Sequence, residues 1–239
     1  MTSVAIAGAW LVVGLLLVPA PARGQEPPPA DATPAGVRAP APEGGVQPAD
    51  AAAAAPYSVL VDRLKAGDRS VDFTRFRIAF TETPAYTGMM MAAYQALWRP
   101  LNGGNFAEAI AVAEKVLAQN FTEPNAHMVA AIAYLQTGQR EQADLHRFIA
   151  SGLLQSIASK GDGKTPETAY EVVDISEEYA FVRSLNLQPK GVGSSAPPDG
   201  PKIDSMTVVD PRTGTTSTIH FNFDRAWAAG YGRGGRGGQ

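Results

Sequence analysis

The sequence predicts an α+β protein: a tetratricopeptide-like antiparallel helical layer followed by a small, mostly antiparallel β-sheet with one helix. Three observations carry that prediction. Apolar side chains recur at helical spacing between residues 57 and 158. Gly104 and Ala109 reappear as Gly138 and Ala143, an offset of 34 residues, the period of tetratricopeptide helix pairs. Beyond Ser159 the pattern changes to β-branched runs separated by turn residues.

The elements follow in order. Tyr57, Leu60, Val61 and Leu64 share one helical face, and Gly67 stops that helix. Ser70 is expected to cap the next, in which Phe73, Phe76, Ile78 and Phe80 supply apolar bulk while Arg75 and Arg77 face out. Pro84 breaks the pattern. Met91, Tyr94, Trp98 and Leu101 form a further stripe, closed by the turn Asn102-Gly103-Gly104. A helix over 106–119 carries Ala109, Ile110, Ala113, Val116 and Leu117 on one broad side. The helix over 125–137 is entered through Pro124, turns Met128, Ala131, Ile132 and Leu135 inward, and ends at Gly138. A helix over 140–157 follows, with Ala143, Leu145, Phe148, Ile149, Gly152 and Leu153 on its stripe. Short connections make these helices antiparallel neighbours.

The sheet element spans 159–225. Residues 169–175 read as a strand, a helix starts at Ser176 and ends near Leu187, and 191–200 is a Gly/Ser/Pro loop. Strands over 203–209 and 215–223 flank Asp210-Pro211-Arg212-Thr213-Gly214 and form a hairpin. Three strands would leave one face bare, so the sheet is expected to dock on the helical layer.

The ends read differently. Residues 4–18 are an uncharged apolar run followed by small residues, so 1–24 is expected to be a signal peptide cleaved after Ala22 or Gly24. An uncleaved anchor is the alternative, and no Lys or Arg precedes the run. Residues 25–56 are mainly Pro and Ala and cannot bury enough surface to order themselves, so they form a linker. The domain therefore covers 57–225, and 226–239 is a Gly/Arg-rich tail.

Composition excludes several function classes. There is no Cys, which rules out disulfides, thiol catalysis and thiolate metal sites. The net charge of -3 argues against nucleic acid as a partner, because phosphate binding needs clustered cations. Two arginines in the tail, Arg233 and Arg236, add little pull.

No catalytic set, metal site or cofactor site is predicted. Gly163-Lys164-Thr165 lacks the upstream glycine of a phosphate loop, since Ala158 stands there, and a helix precedes it. His127, His146 and His220 lack metal-ligand spacing, though His127 and His146 lie on adjacent helices and can meet across a hairpin. Ser194-Ser195 lacks nucleophile-elbow glycines. Glu177 and Glu178 stand in a first helical turn, where negative charge offsets the macrodipole. Asp162, Lys164 and Glu167 of the 161–168 loop, with Glu178 and Tyr179 at the helix start, are the candidate ligand-loop residues, because that loop joins the two layers.

Several stretches resemble the DUF4919 family, exported bacterial proteins known only as a domain of unknown function. They are 57–68 (YSVLVDRLKAGD), 104–117, 161–169 (GDGKTPETA), 178–181 (EYAF) and 221–224 (FNFD). The chain departs from that family after Asp72-Phe73-Thr74-Arg75-Phe76, where residues 77–83 stand in place of aromatics. The resemblance implies an extracytoplasmic bacterial setting, periplasmic or secreted, and tetratricopeptide-like helices leading to a small sheet. It implies no activity. The function expected is a non-enzymatic protein–protein interaction or envelope-accessory module with an unidentified protein partner. The alternatives are a small-ligand binder or enzyme at the 161–168 loop, and RNA binding through the tail. Membrane contact is expected only through an uncleaved signal.

Overall fold

The computed structural model describes residues 55–87 and 94–230. The expected signal peptide, the linker up to residue 54, the run Met89-Met90-Met91 and the tail from residue 231 lie outside the described residues. Six helices come first: α1 (Tyr57–Lys65), α2 (Phe73–Thr81), α3 (Tyr94–Asn102), α4 (Phe106–Leu117), α5 (Pro124–Gln136) and α6 (Arg140–Ala158). A 3₁₀ turn (Pro166–Thr168) leads to β1 (Tyr170–Glu171), α7 (Ile175–Ser184), β2 (Gln188–Ser195), β3 (Ile203–Val209), β4 (Thr216–Asn222) and α8 (Asp224–Gly230). The protein is thus α+β, with a helical layer followed by a sheet.

Local chemistry sets the helix ends. Asp72, not Ser70, caps α2 by accepting from the Arg75 amide, while Ser70 bonds to Asp68 and Arg63. Gly138 closes α5 with φ +80°, a left-handed turn in which a side chain would be strained. Asn186 does the same job after α7 with φ 58°, and the Leu187 amide reaches back to the Val182 carbonyl.

The helical layer packs around Leu60, Leu64, Phe76, Leu97, Ala109, Ala113, Val129, Ala130, Ala133, Ile149 and Leu153. Ala109 and Ala143 are both buried. The buried face of α5 lies opposite the expected one: Ala126, Val129, Ala130 and Ala133 point inward, and Leu135 is 50 % exposed. This helix is apolar nearly all round, so its larger side chains mark no face. The small ones decide, because they let α4 and α6 approach closely.

The sheet has four strands in the order β1-β4-β3-β2. The hairpin forms as expected, with Val209 opposite Thr216 and the Asp210 amide donating to the Thr215 carbonyl. Two expectations fail here. The strand over 169–175 is only two residues long and pairs parallel with β4, because the chain turns at Val172-Val173-Asp174 to cap α7. The expected loop over 191–200 instead contributes β2, paired antiparallel with β3 along its length and exposed throughout. Its Gly and Ser residues hide a strand whose pairing is made by the backbone. In addition, α8 takes up residues expected to belong to the tail, burying Ala226.

A second apolar cluster lies under the sheet: Leu154, Ile157, Val172, Phe181, Val182, Met206, Val208, Phe221 and Phe223. Helix α6, about 28 Å long at 1.5 Å per residue, joins both clusters, with Ile149 and Leu153 in the first and Leu154 and Ile157 in the second.

Candidate functional site: a buried polar seam

Between the two apolar clusters runs a seam of buried polar side chains. Its first centre is Arg77 of α2, 3 % exposed. Its Nε donates to Glu177 Oε1 at 2.7 Å and its Nη2 to Glu177 Oε2 at 2.6 Å, a bidentate pair. Nη1 donates to Ser156 Oγ on α6, and Nη2 also reaches the Glu171 carbonyl. The Val173 amide donates to Glu177 Oε2, and Tyr86 Oη donates to the Val173 carbonyl. One guanidinium therefore ties α2, α6, α7 and the 171–173 segment together.

Arg77 was expected to face out, and Glu177 to sit in a solvated first turn. The helical wheel explains Arg77. At 100° per residue it falls about 40° from Phe73 and about 60° from Phe80, at the margin of the buried arc, while Ile78 lies well off it. Glu177 is 2 % exposed because both flanks of α7 are covered, by the helical layer on one side and the sheet on the other.

The second centre is acidic. Glu123 caps α5, accepts from the Asn125 amide and side chain, and accepts from Ser176 Oγ at 2.5 Å. Burial, reinforced by the Asp174 charge, pushes its carboxyl up to about 7. Glu178 is wholly buried, and neither of its oxygens receives a hydrogen bond from the described residues. Asp204 of β3 faces it within hydrogen-bonding reach. Burial first, then the neighbouring Asp204, Asp174 and Glu177 carboxyls, raise Glu178 well above the usual carboxylate range. Asp204 is raised too, by burial, and Ser194 Oγ of β2 donates to its Oδ1.

A third polar chain lies within the helical layer. The facing Nδ1 atoms of His127 and His146 are 2.8 Å apart, so the two residues do meet across a hairpin. His127 Nε2 bonds to the Phe121 carbonyl, and burial, with His146 beside it, pulls His127 down to about 3. His127 is therefore neutral at physiological pH. Because Nε2 carries its proton to the Phe121 oxygen, Nδ1 accepts from His146. His146 Nε2 lies 3.4 Å from Glu114 Oε1, and Tyr134 stacks on the His146 ring while its hydroxyl donates to Glu114.

The expected ligand-loop residues do not gather around a common point. Asp162 accepts from Thr168 Oγ1 and the Lys164 amide, and its other oxygen pairs with Lys164 Nζ at 3.0 Å. These contacts hold the Asp162 carboxyl down at about 2. Glu167 is exposed, and the loop is pinned to β4 through the His220 amide and the Gly163 carbonyl. Glu178 belongs instead to the seam, beside Asp204. Tyr179 is half-buried and packs against the sheet-side apolar cluster. Sequence reasoning missed Arg77, Glu123, Asp174, Asp204 and Ser194 as seam members. The wheel position of Arg77 was the one signal able to reveal any of them.

Among the described residues no group of three His, Asp or Glu side chains is arranged to hold a metal ion, and no helix is long and apolar enough to cross a membrane. The structure thus defines a class: an α+β domain whose helical stack is locked onto a four-stranded mixed sheet through buried ionisable groups. The chain belongs to the family DUF4919, a domain of unknown function, whose model matches residues 49–228. No curated protein and no solved structure matches it.

Proposed function

We propose that this chain is a non-enzymatic interaction module that adds an extended segment of a partner polypeptide to its sheet. The observation that carries this reading is the edge of β2, which no described residue pairs on its outer side. Eight consecutive residues are exposed on a terminal strand, and nothing among the described residues lies within 4 Å of where a Cβ would stand on Gly191 or Gly193, so that face of the strand is open. An edge strand offers an incoming backbone unpaired donors and acceptors. Val192 lies opposite buried Met206, on the core side of the sheet, yet is 40 % exposed. It supplies an apolar contact for the incoming strand. By contrast, the reactive side chains of the seam are turned on one another inside the molecule.

An extracytoplasmic bacterial location, with residues 1–24 as a signal and 25–56 as a tether, belongs to the same proposal. The uncharged apolar run over 4–18 and the Pro/Ala composition that follows support it. The helix pairs with their 34-residue recurrence support a tetratricopeptide-like origin of the helical layer. The test is affinity capture from envelope extracts with the full chain and with Val192→Pro, which removes an edge donor. A partner held by the wild type and lost by the variant is expected. Equal recovery by both contradicts edge pairing.

A further inference from the structure

We infer that Glu178 and Asp204 form a proton-held latch between α7 and the sheet, closed at acidic pH and released as pH rises. The inference stands on geometry. Glu178 is wholly buried in the first turn of α7, and its two oxygens meet no donor among the described residues. The group facing it is a second carboxyl, Asp204, which itself accepts from Ser194 of β2. Two ionised carboxyls so placed repel, whereas one shared proton turns the pair into a hydrogen bond.

The neighbouring groups offer no substitute for that proton. From α7 and its cap come Glu177 and Asp174, both acidic. Glu123 at the start of α5 faces Asp174 and Ser176 and is acidic as well. Tyr86 bonds to the Val173 carbonyl. Arg77 of α2 gives its Nε and Nη2 to the adjacent Glu177 and also donates to Ser156 and the Glu171 carbonyl, and Arg225 of α8 pairs with the Glu171 side chain. On the sheet, His220 is engaged by Ser205 on the face away from Asp204.

The consequence reaches the edge strand. Asp204 links α7 to β2 through Ser194, and Phe181, three residues beyond Glu178, packs on Phe221, the β4 partner of Asp204. Loss of the shared proton places two negative charges under that contact. The sign is fixed: the folded state holds protons that the unfolded chain has released, so stability falls as pH rises. The pairing resembles other like-charge carboxyl dyads in its chemistry, but here the proton joins two structural layers.

The test is urea unfolding of the full chain from pH 5 to pH 8, for the wild type, Glu178→Gln and Asp204→Asn, with Glu123→Gln in parallel to subtract that carboxyl's share. The wild-type folding equilibrium constant is expected to fall by up to about tenfold per pH unit for each proton released. Glu178→Gln carries an amide that donates to Asp204 at every pH, so its slope is shallower and it is the more stable protein at pH 8. Asp204→Asn, which donates to the Glu178 carboxylate, is also shallower. Hydrogen exchange over 188–195 in the wild type, corrected for intrinsic rate, should accelerate from pH 5 to pH 8. A Glu178→Gln slope equal to wild type overturns the inference, as does exchange over 188–195 that ignores pH. Restoration of the pH 8 wild type by sodium, potassium or calcium ions also overturns it, because a cation would then be the occupant.

Discussion

Glu177 and Glu178 are adjacent on one helix and meet opposite fates. Glu177 accepts two hydrogen bonds from the Arg77 guanidinium and a third from the Val173 amide. Glu178, about 100° further round the helix, finds a carboxyl. The first is a buried charge made tolerable by a matched partner, the second a buried acid made tolerable by keeping its proton. Two residues of the same type, at equal depth, thus respond to substitution in opposite ways. The lesson is that burial alone does not assign a charge; the facing group does.

The sharpest way to break that contrast is to remove Arg77. Arg77→Met leaves Glu177 buried without its cation and should cost about 3–5 kcal/mol in urea unfolding. The double variant Arg77→Met/Glu177→Leu, which removes both charges, should recover most of that loss. If the single and double variants are equally unstable, the pair matters for shape and not for charge.

Next comes the paired amide substitution. Glu177→Gln at pH 8 should destabilise by about 1.5–3 kcal/mol, the worth of hydrogen bonds to a charged group. Glu178→Gln at the same pH should stabilise. Matching signs would erase the distinction drawn between the two residues.

The pH profile of the wild type sharpens it further. Glu123, Glu178 and Asp204 are all raised in the folded state, so their contributions are present at low pH and disappear as pH climbs, for Glu123 through about 7. Asp68 and Asp162, both held at about 2, act in the opposite sense and lose their contribution as pH falls toward that value. Thermal unfolding should therefore show a maximum in Tm on the acidic side, between about pH 4 and pH 6. A plateau reaching pH 8 would mean the seam carboxyls ionise without penalty.

The smallest effect serves as a control outside the seam. Gly138→Ala should cost about 1 kcal/mol through its positive φ alone, with no change in the pH profile. A pH-dependent loss there would show that the acid response is not confined to the seam.

Much of the fold was legible in the sequence because helix stripes, glycine stops and the Asp210–Gly214 turn are local signals. Gly67, Gly104 and Gly138 each end a helix with positive φ. The α5 face was illegible because packing of small residues, not the position of large ones, set its rotation. Strand β2 was illegible because Gln188–Ser195 carries one large apolar residue, Val192, and owes its form to pairing with β3. The seam was the hardest part. Arg77 and Glu177 are 100 positions apart and Glu178 and Asp204 are likewise brought together only by the docking of layers. Charged residues read in isolation default to the surface, and here the default failed at each of these four positions.

The central claim, that adjacent glutamates differ because their facing groups differ, is tested most directly by carboxyl carbon-13 chemical shifts of Glu178 followed against pH. The account predicts that at about pH 6, where a solvated glutamate is ionised, Glu178 still shows the shift of a protonated acid and that Asp204→Asn alters its titration. A Glu178 carboxyl that titrates like a solvated one, untouched by Asp204→Asn, would contradict it.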